Sequence, residues 1–146
     1  MERVIFFDGS MEEMRHDIQV PADMSKLCEL RDLLGRICEE HEVPPKTIRR
    51  MVLAIDEALS NVIEHASIKD SAKPIELSLE INEDRIVAEI RDRGIPFDPV
   101  PFEKPNRKSY PRRGFGLYLI HMIVDRIDYE RTSDGHNVLT LTKSIE

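Results

Sequence analysis

Two stretches of strict alternation constrain the fold of this chain more than any other feature. Ile75, Leu77, Leu79 and Ile81 alternate with polar residues, and Ile86, Ala88 and Ile90 alternate again after the polar stretch Asn82-Glu83-Asp84. A period of two places such residues on one face of a strand. The short polar turn between the runs makes them an antiparallel hairpin with one buried face. That buried face needs a second layer.

The rest of the chain supplies it. Val4 to Phe7 reads as a short strand and Met14 to Val20 as a second, closed by Pro21. Asp23 is placed to cap a helix running to Glu40, with Leu27, Leu30, Leu34, Ile37 and Cys38 as its apolar stripe. A second helix opens near Pro45, since proline suits a helix start. Ile48, Met51, Val52, Ile55, Leu59, Val62 and Ala66 mark one face of it. Leu117, Ile120, Val124 and Ile127 mark a third helix. Tyr129 to Thr132 and Val138 to Lys143 flank the turn Asp134-Gly135 as a closing hairpin. The order β-β-α-α-β-β-loop-α-β-β is dominated by hairpins. It predicts an α+β fold, a two-layer α/β sandwich with three helices on one face of a mixed, mostly antiparallel sheet.

Length and composition bound the class. The 146 residues suit a single domain, 1–146. No apolar run reaches the roughly 20 residues of a membrane span, and Met1 to Glu13 lacks a signal-peptide pattern. A net charge of -7 argues against a general nucleic-acid binder. Cys28 and Cys38 fall on one predicted helix, about 15 Å apart along its axis. A disulfide needs Cα atoms within about 7 Å, so these are expected to be free thiols of a cytoplasmic protein, packed as small core residues.

Three polar constellations bear on chemistry. Glu57, Asn61 and His65 are spaced i, i+4, i+8 and form one ridge away from the apolar stripe of the second helix. By itself such a ridge reads as a solvated face. It also offers an amide oxygen that can bind magnesium, a hard cation that keeps several waters. A carboxylate one turn earlier can take a proton from an attacking hydroxyl. His65 either shapes a site or only packs.

Asp92 and Gly94 follow directly on a strand and lead into Ile-Pro-Phe97-Asp98-Pro. Asp-x-Gly alone is a common turn; the continuation is not explained by a turn. Asp98 to Arg113 then holds four prolines and five basic residues (Lys104, Arg107, Lys108, Arg112, Arg113) against two acids (Asp98, Glu103), a local +3. Structureless loops beyond about 12–15 residues are usually functional or disordered. A basic loop of this kind suits a lid over phosphates, or else a solvated loop. Gly114-Phe115-Gly116 opens the third helix ahead of Leu117, where free N–H groups and the helix dipole favour phosphate.

Taken in order, DEALSNVIEHA (56–66), DRGIPFDP (92–99) and RRGFGLYLI (112–120) resemble the Asn-bearing helix and two glycine boxes of the Bergerat, histidine-kinase-like ATPase superfamily. The resemblance runs from about Ile18 to Lys143. The DRGIPFDP form is especially similar to the anti-sigma-factor serine/threonine kinases of bacterial partner-switching systems. The resemblance implies ATP with Mg2+ as cofactor. It implies Asn61 as metal ligand and Glu57 as catalytic base. It places His65, Asp92, Gly94, Phe97, Arg113, Gly114, Phe115, Gly116 and Leu117 around the nucleotide, with Asp92 accepting from the adenine amine and an ATP lid at about 98–113. The superfamily often has one more glycine where this chain has Arg112 and Arg113.

It further implies a kinase that sequesters a sigma factor and phosphorylates a small anti-anti-sigma protein on Ser or Thr. Such a kinase works as a homodimer, here through the N-terminal strand edges, without direct contact with nucleic acid or membrane. Two alternatives stay open at this level. One is a non-catalytic, nucleotide-dependent partner-binding module. The other is a detached histidine-kinase-type catalytic domain; His16, in a predicted strand, is a poor phospho-acceptor for that scheme.

Overall fold

The computed structural model describes residues 4–7, 14–66, 74–96, 98–100 and 115–145. Six strands and three α-helices follow in the order β1 (Val4–Phe7), β2 (Met14–Val20), α1 (Leu27–Glu40), α2 (Pro45–Ala66), β3 (Ile75–Ile81), β4 (Arg85–Asp92), α3 (Phe115–Ile123), β5 (Arg126–Arg131) and β6 (Asn137–Ser144). One short 3-10 turn, Met24–Lys26, leads into α1.

The strands form one sheet in the order β1-β2-β3-β4-β6-β5. Among the described residues every ladder of the sheet is antiparallel. The reason is topological. Strands β4 and β5 point the same way, but β6 returns between them and pairs with both.

The hairpin at the centre forms as its alternation dictates. Asn82 turns it by accepting from the N–H groups of Asp84 and Arg85 at 2.8 and 2.9 Å. Leu79, Ile86, Ala88 and Ile90 are fully buried, while Glu76, Glu83 and Arg85 face solvent. Ile18, Val20, Leu139 and Leu141 extend the same inner face. All three helices pack on it in one core. Each fully buried aliphatic side chain there stabilises by roughly 1.5–3 kcal/mol relative to exposure.

Asp23 caps the start of the first helical segment, its carboxylate accepting from Ser25 N–H at 2.9 Å. The buried residues of α1 are Leu27, Leu30, Leu34, Ile37 and Cys38. Cys38 is therefore a core residue, its thiol pushed up to about 11 by burial. Cys28 is exposed rather than packed, because it lies off that stripe. Both thiols are free.

One element differs from the periodic reading. The apolar spacing Leu117, Ile120, Val124, Ile127 continues a helix, yet α3 ends at Ile123. Val124 N–H makes the last helical bond to Ile120, and Asp125 N–H then turns to Thr142 carbonyl at 2.8 Å. Asp125 also accepts from Ser144 N–H. The chain is thereby stitched to the sheet, and Ile127 pairs opposite Leu141 in β5. At the other end of β5 the backbone reverses through Gly135, whose φ of 92° is one that a side chain disfavours.

Candidate functional site

Asp92 is the last residue of β4 and continues the inward phase of Ile86, Ala88 and Ile90. A carboxylate there has left the water and needs partners. It has them. Gly94 N–H donates to Asp92 Oδ1 at 2.7 Å, and Asn137 Nδ2 donates to the same oxygen at 3.0 Å. Both of these bonds fall on Oδ1.

Asn137 was not singled out from the sequence, and it organises this end of the sheet. Its Nδ2 also donates to Gly94 carbonyl at 3.1 Å. Its Oδ1 accepts from Tyr129 Oη at 2.9 Å and from an Arg131 guanidinium N–H at 2.8 Å. Two donated and two accepted bonds use the full capacity of the amide, which fixes its orientation. The signal was present in the sequence. Asn137 precedes Leu139 and Leu141 in the apolar phase of β6, and a polar residue in that phase must be paired or functional.

A pocket opens beside this pair. Asn61, Asp92, Asn137 and Tyr129 supply its polar groups; Ala58, Val62, Ile95, Pro99, Ile120 and Leu139 supply apolar walls. Helix α2 thus brings Asn61 to the pocket that holds Asp92, although the two are far apart in the chain. Pro99, at the root of the following loop, is held by His121 of α3, whose Nε2–H donates to its carbonyl at 3.0 Å. Asp98 caps the same turn by accepting from Val100 N–H at 2.9 Å.

Glu57 lies one turn before Asn61 on α2 and reaches α3. A Cβ built on Gly116 would sit 2.6 Å from Glu57 Oε2. Burial first, and the neighbouring Asp56 charge second, raise the Glu57 carboxyl above the usual carboxylate range. Leu117 packs half-buried against the core. Phe115 begins α3. Phe97, Arg113 and Gly114 lie outside the described residues, as do the side chains of His65 and Phe115 and most of the 98–113 segment.

The family model described as "Histidine kinase-like ATPase domain" matches residues 20–143. This chain belongs to the histidine kinase-like ATPase family. Among curated relatives, serine-protein kinase RsbW of Bacillus cereus (strain AH187) is 28% identical over 139 residues, covering 89% of this chain and 84% of the relative. RsbW of Bacillus thuringiensis (strain Al Hakam) is 27% identical over the same coverage. Among solved structures, the RsbU and RsbW domains of a Mycobacterium tuberculosis protein superpose with a TM-score of 0.67 at 20% identity. That match covers 90% of this chain and 32% of the larger one. The SiaB–SiaC complex of Pseudomonas aeruginosa gives 0.57 at 14% identity, with 88% and 89% coverage.

The residues present fit what a histidine kinase-like ATPase domain binds. The pocket has largely apolar walls, with the buried Asp92 carboxylate among its polar groups. Among the described residues no cluster of three or more His, Cys, Asp or Glu could hold a metal by itself. A lone Asn amide oxygen suits magnesium, which takes the rest of its octahedron from water and phosphates. No described helix is long and apolar enough to cross a membrane.

Proposed function

We propose that this chain is an ATP-dependent serine/threonine protein kinase and anti-sigma factor. In this reading the single domain 1–146 sequesters a sigma factor and phosphorylates a small anti-anti-sigma partner in the cytoplasm, working as a homodimer. The observation that carries the reading is the pairing of Glu57 and Asn61 on α2. Asn61 faces the pocket of Asp92, while Glu57 stands one turn away at the start of α3. Similarity to RsbW serine-protein kinases over 89% of the chain supports it.

Bound Mg-ATP would supply the transferable phosphoryl group and neutralise its charge. The chain's own residues position and move a proton. Asp92 Oδ2 accepts from the adenine amine, and Asn137 keeps that carboxylate fixed. Asn61 offers its amide oxygen to the metal. The N–H groups opening α3, together with His65, Phe97, Arg113, Gly114, Phe115 and Leu117, would hold the nucleotide. Glu57 would take the proton from the acceptor Ser or Thr hydroxyl as its oxygen attacks the γ-phosphorus of ATP and ADP departs. A base works best with a pKa near the working pH, and burial moves Glu57 in that direction. The new phosphate adds about -1.5 to -2 charges to the acceptor, enough to break its complex with an acidic partner.

The test is a tagged pull-down from source cells with and without Mg-ATP, read for partners and phosphosites, followed by phosphotransfer in vitro. A sigma factor recovered with a small protein phosphorylated on Ser or Thr is the expected outcome. Glu57→Gln should retain ATP binding and lose about 10²–10⁴ in rate, roughly 3–5 kcal/mol of transition-state stabilisation. An acid-labile phosphoprotein would move the reading to histidine-kinase-type chemistry. Partners without any phosphosite would leave a binding module.

A further inference from the structure

Gly116 poses a question of its own. It is the second residue of α3, and among the described glycines only Gly135 has a positive φ. Its backbone therefore does not require glycine. Helix propensity alone would favour alanine there. What excludes a side chain is Glu57: the built Cβ meets Oε2 at 2.6 Å, Cδ at 3.6 Å and the Glu57 Cβ at 3.9 Å. Among the described residues outside α3 no other atom comes as near. The contact under 3.0 Å is to the far end of a flexible side chain, which a methyl group would push aside without displacing backbone.

We propose that Gly116 is a positioning residue for the phosphotransfer base: its missing side chain is the seat on which the Glu57 carboxylate rests, and phosphate binding is left to the residues before it. The assignment rests on the kinase reading of Glu57 and divides the glycine pair into two jobs. In that division the missing side chain of Gly116 serves the base. The physical logic is the sensitivity of proton transfer to placement. A displacement of about 1 Å in a catalytic group can lower a rate by about 10², whereas nucleotide affinity depends on contacts elsewhere in the pocket.

The experiment compares Gly116→Ala with the wild type, each alone and combined with Glu57→Gln. Calorimetry reads Mg-ATP affinity, and phosphotransfer from saturating Mg-ATP is measured to the acceptor recovered with the chain. Gly116→Ala should melt at or above the wild-type temperature and bind Mg-ATP within about twofold of it. Its phosphotransfer should be slower by about 10². In the Glu57→Gln background the same substitution should change the rate by no more than about twofold, because the group it displaces no longer acts as a base. A tenfold loss of Mg-ATP affinity with the rate intact would make Gly116 a phosphate-cradling glycine and overturn the proposal. Equal losses in both backgrounds would overturn it as well. If the wild type transfers no phosphate, the kinase reading fails, and the seat is judged by the Glu57 13Cδ resonance. That resonance should move on Gly116→Ala; an unmoved resonance would overturn the assignment.

Discussion

Asn137 Nδ2 donates to Asp92 Oδ1 over 3.0 Å, and the two residues stand directly opposite each other across β4 and β6. Both lie in the apolar phase of their strands, where a polar side chain is tolerated only if paired. Each answers the other's need. The pairing couples the position of the carboxylate to Tyr129 and Arg131 on β5.

Replacing Asn137 by alanine should therefore affect stability and binding together. Asp92, Gly94 carbonyl and Tyr129 Oη would each lose a partner in a buried place. Leaving buried polar groups unsatisfied costs about 1–3 kcal/mol. Urea unfolding should show a lower midpoint with an unchanged slope. ATP affinity measured by calorimetry should fall with it, since Asp92 is no longer held. Stability lost with affinity intact would confine Asn137 to a structural role.

Much of this was legible in the sequence, and the reasons are physical. The alternation of Ile75 to Ile90 and the stripe of α1 are driven by burial of one face, a local pattern that tertiary packing preserves. Asp92 and Gly94 could be read because the turn chemistry is local as well. Asn137 could not be ranked as a site residue, since its partners are at positions 92, 94, 129 and 131 and only the sheet register joins them. The end of α3 was misread for a related reason. Val124 and Ile127 fit a helical period, but the bond from Asp125 N–H to Thr142 carbonyl is long-range. Cys28 lies one position off the buried stripe, too fine a distinction for a periodic pattern to make.

The end of α1 carries a stability prediction of its own. Val43 N–H bonds to Cys38 carbonyl and Glu42 N–H to Glu39 carbonyl, the bond pair of a Schellman motif. Glu42 occupies the left-handed position of that motif with φ 59°. Glycine is preferred there because a Cβ meets the backbone. Glu42→Gly should raise unfolding free energy by about 0.5–1 kcal/mol, the relief of the left-handed strain less the added chain entropy. Thermal or urea denaturation reads it directly. A lower midpoint would mean that the Glu42 side chain makes a contribution larger than the strain.

Acid should weaken the fold through a histidine pair. His16 Nε2 and His41 Nε2 lie 3.0 Å apart, one donating and the other accepting while both rings are neutral. Burial first lowers the affinity of His16 for a proton, and His41 adds to the effect; burial does the same to His41, with Glu40 opposing. The folded values thus lie below the unfolded value of 6.5. The unfolded chain takes up protons first, so stability is full above about pH 6.5 and falls as pH drops through the folded values. Urea unfolding across pH 5–8 should show this loss. His16→Gln should flatten the slope in that window, and an unchanged slope would place the acid sensitivity elsewhere.

The metal role proposed for Asn61 gives the sharpest test of the site. Asn61 lines the same pocket as Asp92, and magnesium bound with a nucleotide takes most of its octahedron from phosphates and waters, leaving one or two positions to protein oxygens. Asn61→Ala removes that oxygen and leaves the apolar walls intact. ATP affinity in the presence of magnesium should drop by about tenfold, about 1.4 kcal/mol, while affinity in EDTA stays near the wild-type value. The variant would then bind ATP equally well with and without the metal. Asn61→Asp keeps an oxygen at the same distance and should retain the magnesium dependence. Calorimetric titrations of ATP with magnesium and with EDTA decide the matter. If Asn61→Ala kept the full magnesium enhancement, the amide would not be the ligand, and Asn61 would serve only as a wall of the pocket.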